Sequence, residues 1–352
     1  MHRRAKGFGL VELMVGMFIG LLLALTVYAT LILGEANRRT AITSNSAIGN
    51  GMASVFMVQT DVKNAGDGMW QNKTLLCNGI NIYYAGNVVA NADPIAPVTI
   101  TDGGSDSASD EIAVAQATSI IANIGATVVT QMTSAAGAFK LNSIRAMQVG
   151  QLYLAANPSL NQPCTVGKIT GLTTQSYGGD VAHAASDWNP ANPATTFSNA
   201  PAYAAGSEVL YLGDFQWTTY RVRQEKLERW DRIRDTVSVL ADNVVLLKAW
   251  YGTTNGTTQA IEQWTPATEA WAPPLDSAHA AAIRAVRLAV VTRSQTQEKP
   301  SISGGACDAT TVAPASWPGG PTLDLSANPK WQCYRYRTLT VVIPLKNMTF
   351  GS

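Results

Sequence analysis

The sequence predicts an α+β protein: one long N-terminal helix, apolar in its first half, packed on an elaborated antiparallel β-rich domain. Three observations predict it. Residues Leu13 to Leu33 are twenty-one positions without a charge, in a run already apolar from Phe8. From Gly34 to about Ala65 the chain turns polar but keeps apolar residues at near-helical spacing. Beyond Gly66 come short β-branched or alternating segments separated by loops rich in Gly, Ser, Asn and Pro.

The opening segment has a positive head of Arg3, Arg4 and Lys6. About twenty apolar residues cross a bilayer as a helix, so Leu13–Leu33 is long enough. Lys and Arg before a first span hold that end in the cytoplasm, which puts the rest of the chain outside it. The segment after the apolar run, GEANRRTAITSN, has no A-x-A-like cleavage site. On hydropathy alone this is an uncleaved signal anchor. Glu12 argues against that reading, because a carboxylate near the hydrocarbon edge costs roughly a few kcal/mol and needs a partner. Arg4 or Lys6 could snorkel to it. A cut after Gly7 would supply a sharper partner: the free α-amino group of Phe8 on a neighbouring subunit.

The run KGFGLVELMVGMFIGLLLAL resembles the N-terminus of a type IV prepilin. Gly7, Phe8 and Glu12 fit that family's spacing. The resemblance implies a leader at 1–7, cut by prepilin peptidase between Gly7 and Phe8, with Phe8 then N-methylated. It also implies that Glu12 acts in assembly. The organisation that follows is a membrane and filament-core half of the helix at 8–34, an amphipathic half at 35–66, and an extracytoplasmic domain at 67–352 with a pilin-like fold.

In the second half of the helix, Ile48, Met52, Val55, Phe56 and Val62 make one apolar stripe expected to face the domain. Gly49 and Gly51 weaken that helix by about 1 kcal/mol each relative to Ala. Gly66 is placed to end it. A helix from Phe8 to about Ala65 would be roughly 85 Å long. Strands are expected at 110–116, 150–156, 208–223, 226–231, 244–252, 285–293 and 333–345. Short helices are expected at 236–244 and 277–283, and long loops at 172–206 and 294–330.

Two further regions resemble PilW-type minor pilins. One is MVQTDVKNAGDGM at 57–69, a hydrophobic turn followed by an acidic residue, a basic residue and Ala-Gly. The other comprises VSVLADNVVLLKAWYGTTNG, AIRAVRLAVVTRSQTQEKP and CYRYRTLTVVIPLKNM. The sister class is the GspJ-like pseudopilin of type II secretion, which shares the leader and is usually shorter. The PilW resemblance implies a structural subunit in the inner membrane and then the pilus, with its globular domain periplasmic. It implies as partners the other minor pilins, the major pilin and a PilY-type tip adhesin, and roles in priming assembly, twitching, adhesion or DNA uptake. A membrane-anchored binding protein or enzyme is the contrasting class.

Composition fits a structural reading. With 25 Lys+Arg against 24 Asp+Glu, no polyelectrolyte partner is implied. Four cysteines, Cys77, Cys164, Cys307 and Cys333, make no CxxC, and an even count outside the cytoplasm reads as two disulfides. Three connectivities are possible. Cys307–Cys333 closes a Pro/Gly-rich loop, which leaves Cys77–Cys164 by default. No catalytic motif, cofactor signature or small-molecule site is evident. The histidines outside the leader, His183 and His279, stand alone in Ala-rich contexts. Asp102, Asp106 and Asp110 form an acidic stretch of the kind calcium uses, but with turn-like Gly/Ser composition and no EF-hand spacing. In FQWTTYRVRQEKLERW, Arg and aromatic residues mix as they do in single-strand nucleic-acid binders. Alternation there puts Trp217, Thr219 and Arg221 on one face and Thr218, Tyr220 and Val222 on the other, which an antiparallel hairpin explains.

Overall fold

A computed structural model of the chain describes residues 9–71, 74–105, 107–118, 125–157, 159, 162–255, 260–302 and 304–349. The first element is helix α1 (Leu10–Asn64), 55 residues and roughly 80 Å long. Strands β1 (Trp70–Gln71), β2 (Thr74–Leu75), β3 (Ile80–Tyr84), β4 (Asn87–Asp93), β5 (Val98–Thr101), β6 (Glu111–Ala117) and β7 (Gly125–Thr130) follow. Next come β8 (Phe139–Leu141), β9 (Leu152–Ala156), β10 (Cys164–Lys168), β11 (Gly171–Gln175) and β12 (Gly178–Ala182). After the single turn α2 (Pro193–Thr196) the chain forms β13 (Glu208–Gly213), β14 (Phe215–Arg223), β15 (Lys226–Asp231), β16 (Thr236–Asp242), β17 (Val244–Thr253) and β18 (Gln263–Thr265). Helix α3 (Ser277–Ala282), β19 (Ile283–Arg293), β20 (Tyr336–Pro344) and α4 (Lys346–Thr349) complete it.

The strands build four sheets. A two-stranded ribbon holds β1 and β2. Four strands run β18-β17-β19-β20, five run β16-β15-β14-β6-β5, and nine run β11-β12-β8-β7-β13-β9-β10-β3-β4. The class is the α+β one expected, but with several sheets, and not wholly antiparallel: β3 and β10 pair parallel. A parallel pair cannot be closed by a tight hairpin. Here it is pinned by the Cys77–Cys164 disulfide just outside it, where Cys164 also pairs with Ile80. The second disulfide, Cys307–Cys333, closes the long loop before β20.

The main core is shared by α1, the four- and five-stranded sheets and one face of the nine-stranded sheet, which contributes Ile80, Leu154 and Leu210. Val58, Val62 and Ala65 of the helix meet Ile112, Leu247, Leu288 and Ile343 in one cluster of buried residues. This corrects the expected stripe. The buried helix face is Gly51, Ser54, Val58 and Val62, with Val55 partly buried. Met52 and Phe56 point away and are 60% and 70% exposed. Small residues decide the matter: at Gly51 a Cβ would stand 2.1 Å from Leu339 Cδ1 on β20. Gly51 therefore weakens the helix in isolation but admits the sheet to it.

The helix ends as expected at the Ala-Gly pair. Gly66 takes a left-handed φ of 80° and its N–H donates to Ala115 O on β6 at 2.9 Å. Gly68, φ 74°, brings the turn against Leu212 and Ala117.

Several elements differ from expectation. The run 208–223 is two strands in two sheets, broken where Gly213 takes φ 74°. Residues 236–242 form strand β16, not a helix, because its alternation completes a hairpin against β15, with Trp230 opposite Val237. The expected loop 172–206 contains the hairpin β11–β12 and α2. Its strand β11 is solvent-facing, so no apolar alternation marked it. The last strand starts at Tyr336 because 331–333 is a 3-10 turn ending at the disulfide. The helix at 277–282 forms as expected.

Gly68→Ala should destabilise the fold by about 2–4 kcal/mol. The left-handed φ is strained for Ala, and a Cβ there would lie 2.6 Å from Leu212 Cδ2 and 2.8 Å from Ala117 Cβ. Denaturant unfolding of the detergent-solubilised chain measures it.

Candidate functional site

The exposed half of α1 is the first part of the site. Leu10–Leu31 is long and apolar enough to cross a membrane, and none of it is buried in the subunit. Glu12 lies in the first turn, where the free N–H groups and helix dipole favour a carboxylate. The Gly9 N–H donates to Glu12 Oε2 at 3.3 Å. Among the described residues Glu12 has no ion-pair partner. Arg4, Lys6, Gly7 and Phe8 lie outside the described residues.

The second part is the joint that fixes this helix to the head. Asp61, one turn before the helix end, receives the Tyr220 hydroxyl at 2.5 Å and lies 3.7 Å from Arg229 Nε. Burial and the Asp61 carboxylate push the Tyr220 phenol well above its ordinary value, so it stays a donor. Asp61 is the acidic residue of the MVQTDVKNAGDGM stretch. Sequence alone could not supply its partners, which lie on β14 and β15. Alternation did place Tyr220 on the face opposite Trp217, and that face is the one turned to the helix. The aromatic-rich segment itself is the hairpin β14–β15.

The acidic stretch 102–110 is organised around a lysine. Lys248 Nζ on β17 donates to Asp110 Oδ1 and to Ser105 O, each at 2.9 Å, and lies 3.9 Å from Asp102 Oδ1. Asp110 also accepts the N–H groups of Ala249 and Gly103. Burial raises the Asp110 carboxyl above its ordinary value, opposed by these donors. An ammonium thus sits where the carboxylates converge. No group of three His, Cys, Asp or Glu suited to a metal occurs among the described residues, and Asp106 lies outside them.

The two described histidines are structural. His183 Nε2 donates to Gly137 O at 2.7 Å, with its ring against Phe139 and Tyr153. His279 completes the cap of α3, its N–H and ring Nδ1 both meeting Asp276.

An apolar N-terminal helix half-sunk in a β-rich head is a pilin-like α+β architecture. Residues 212–347 match the family model described as Type IV Pilus-assembly protein W, and residues 2–28 match the Prokaryotic N-terminal methylation motif. The two matches are consistent with a PilW-family chain carrying a prepilin-type leader, and they support a type IV pilus minor pilin. Pilin-family domains are in general structural subunits without enzymatic activity. No curated protein and no solved structure matches the chain.

Two outcomes test the joint and the buried histidine. Tyr220→Phe, which keeps the ring and removes the donor to Asp61, should cost about 1.5–3 kcal/mol in chemical unfolding. Burial lowers the His183 imidazole below its ordinary 6.5. The unfolded chain therefore takes up a proton first on acidification. Stability should hold above 6.5 and fall as pH drops below it, and His183→Asn should flatten that part of the melting-temperature profile.

Proposed function

We propose that the chain is a PilW-like minor pilin that helps initiate type IV pilus assembly and sits in the pilus tip complex. The observation that carries this reading is the single continuous helix α1. Its first 22 residues have no cover in the subunit, and its last turns are bolted to the head. Such a helix needs a second environment: the inner membrane before assembly, the filament core after it. The basic residues before the span hold the N-terminus in the cytoplasm and put the head in the periplasm.

Processing precedes assembly. Prepilin peptidase cuts between Gly7 and Phe8, and Phe8 is N-methylated. The new amine on one subunit then neutralises Glu12 on its neighbour, which brings the two into register as the helix leaves lipid. The exposed Phe56 and Met52 extend the apolar surface below the span and suit lateral packing against other pilins. The partners in this reading are the other minor pilins, the major pilin and a PilY-type tip adhesin. Twitching, adhesion or DNA uptake follow from the fibre.

The intact mass of the membrane-extracted protein should correspond to a chain starting at Phe8 with one added methyl group. A mass starting at Met1 or His2 would refute processing. Glu12→Ala should leave the melting temperature of the head unchanged and sharply reduce incorporation into pili. An unpaired charge in a dry core costs about 3–5 kcal/mol, and that penalty falls on docking between subunits. Normal incorporation of the variant would remove the pairing role.

A further inference from the structure

The outer face of the five-stranded sheet holds a cleft of about 550 Å³, within the range of ligand sites. Its floor is one cross-strand row: Thr99 on β5, Ala113 on β6, Thr219 on β14 and Trp230 on β15. The segments Asp93–Ala96 and Pro273–Leu275 form its walls. Thr219 is only 4% exposed, yet its hydroxyl has no protein partner among the described residues and lines the cleft. The Arg232 guanidinium lies 3.9 Å from the centre of the Trp217 ring and 5.6 Å from that of Trp230. Stacking holds it flat. It has no hydrogen-bond or ion-pair partner among the described residues, so its donors stay available. The Asp93 carboxylate across the cleft is likewise unpaired among them.

We propose that this cleft binds a neutral saccharide. Two planar hydrogen-bonding groups of opposite sign, Arg232 and Asp93, stand over a row of threonine hydroxyls beside indole rings. Vicinal sugar hydroxyls each donate and accept, and that mixture of groups satisfies them, while the guanidinium stacked on the indoles keeps its N–H edge turned to the ligand. Charge balance selects a neutral ligand: Arg232 is offset by Asp93, and Glu111 is paired with Arg223 at 2.6 Å. An extended peptide fits less well. The free edge of β5 is closed at its middle, where the Ile100 N–H is bound by the Tyr251 hydroxyl at 2.5 Å. This site is independent of the assembly role of α1.

The test uses the full chain in a detergent without a sugar headgroup, applied to an array of neutral hexose and N-acetylhexosamine oligosaccharides with sialylated and uronic-acid counterparts. Saturable binding to at least one neutral sugar is expected. It should weaken by about tenfold or more in Thr219→Val, which replaces a hydroxyl by a methyl of the same shape, and in Arg232→Ala. Melting curves of both variants check that the head is folded. The proposal is overturned by an array blank for neutral sugars, by preference for the charged ones, or by wild-type affinity in a folded Thr219→Val protein.

Discussion

The helix α1 has to satisfy two different surroundings with one rigid rod, and the contact at residues 51–65 is what makes this possible. There the helix drops its apolar girdle and presents small residues, Gly51 and Ser54, then Val58 and Val62, to the sheet. With no side chain of its own at Gly51, the helix takes the Leu339 and Thr292 side chains directly against its backbone, which lets β19 and β20 lie along it. The Tyr220–Asp61 bond then fixes the rotation of the rod, because a charged acceptor tolerates little misalignment. Any force on the exposed half is carried straight to the head, since no loop or hinge separates the halves of a 55-residue helix.

The head grows outward from that contact. Gly66 and Asp67 hydrogen-bond to β6, so the turn after the helix is already part of the five-stranded sheet. The strands nearest the helix, β16, β19 and β20, fall within the stretch that matches the pilus-assembly family, 212–347. The nine-stranded sheet lies almost wholly before that stretch. It lends Ile80, Leu154 and Leu210 to the main core and gathers a second, small core around Phe139, Tyr153 and Tyr203. The parallel β3–β10 pair within it joins segments far apart in sequence. The chain-entropy gain of the Cys77–Cys164 link, about 4–5 kcal/mol for a loop of this size, acts where closure is hardest.

Charge inside the head is neutralised internally. Lys248 satisfies the acidic loop, and Glu111 has Arg223. Burying one partner of the Lys248–Asp110 pair without the other would leave an uncompensated ion in the core, so the pair also fixes how β17 meets the loop before β6. Two guanidiniums with no acid in direct contact among the described residues, Arg232 and Arg287, lie on tryptophan rings instead. A weakly hydrated guanidinium can do this at modest cost, whereas an ammonium would not.

The sequence by itself determined what depends on neighbours along the chain. The apolar run needs no partner to be recognised, because its length against a bilayer is a one-dimensional quantity. Gly66 ends the helix through its own φ freedom. The strands β14, β15, β17 and β19 were legible because burial on a sheet face imposes alternation or an apolar run. Trp217 and Thr219 were placed on one face, and Tyr220 on the other, for the same reason. Tertiary structure decided everything set by contact across space. Which stripe of α1 is buried depends on where Leu339 lies, and helical spacing alone cannot tell the Gly51–Ser54 face from the Met52–Phe56 face that stays exposed. Residues 236–242 became a strand because β15 offered an unpaired edge. The acidic loop closed on Lys248, 138 residues from Asp110 in the chain. The cleft exists because Thr219, Arg232 and Asp93 come from strands and turns whose order in the sheet no local pattern encodes.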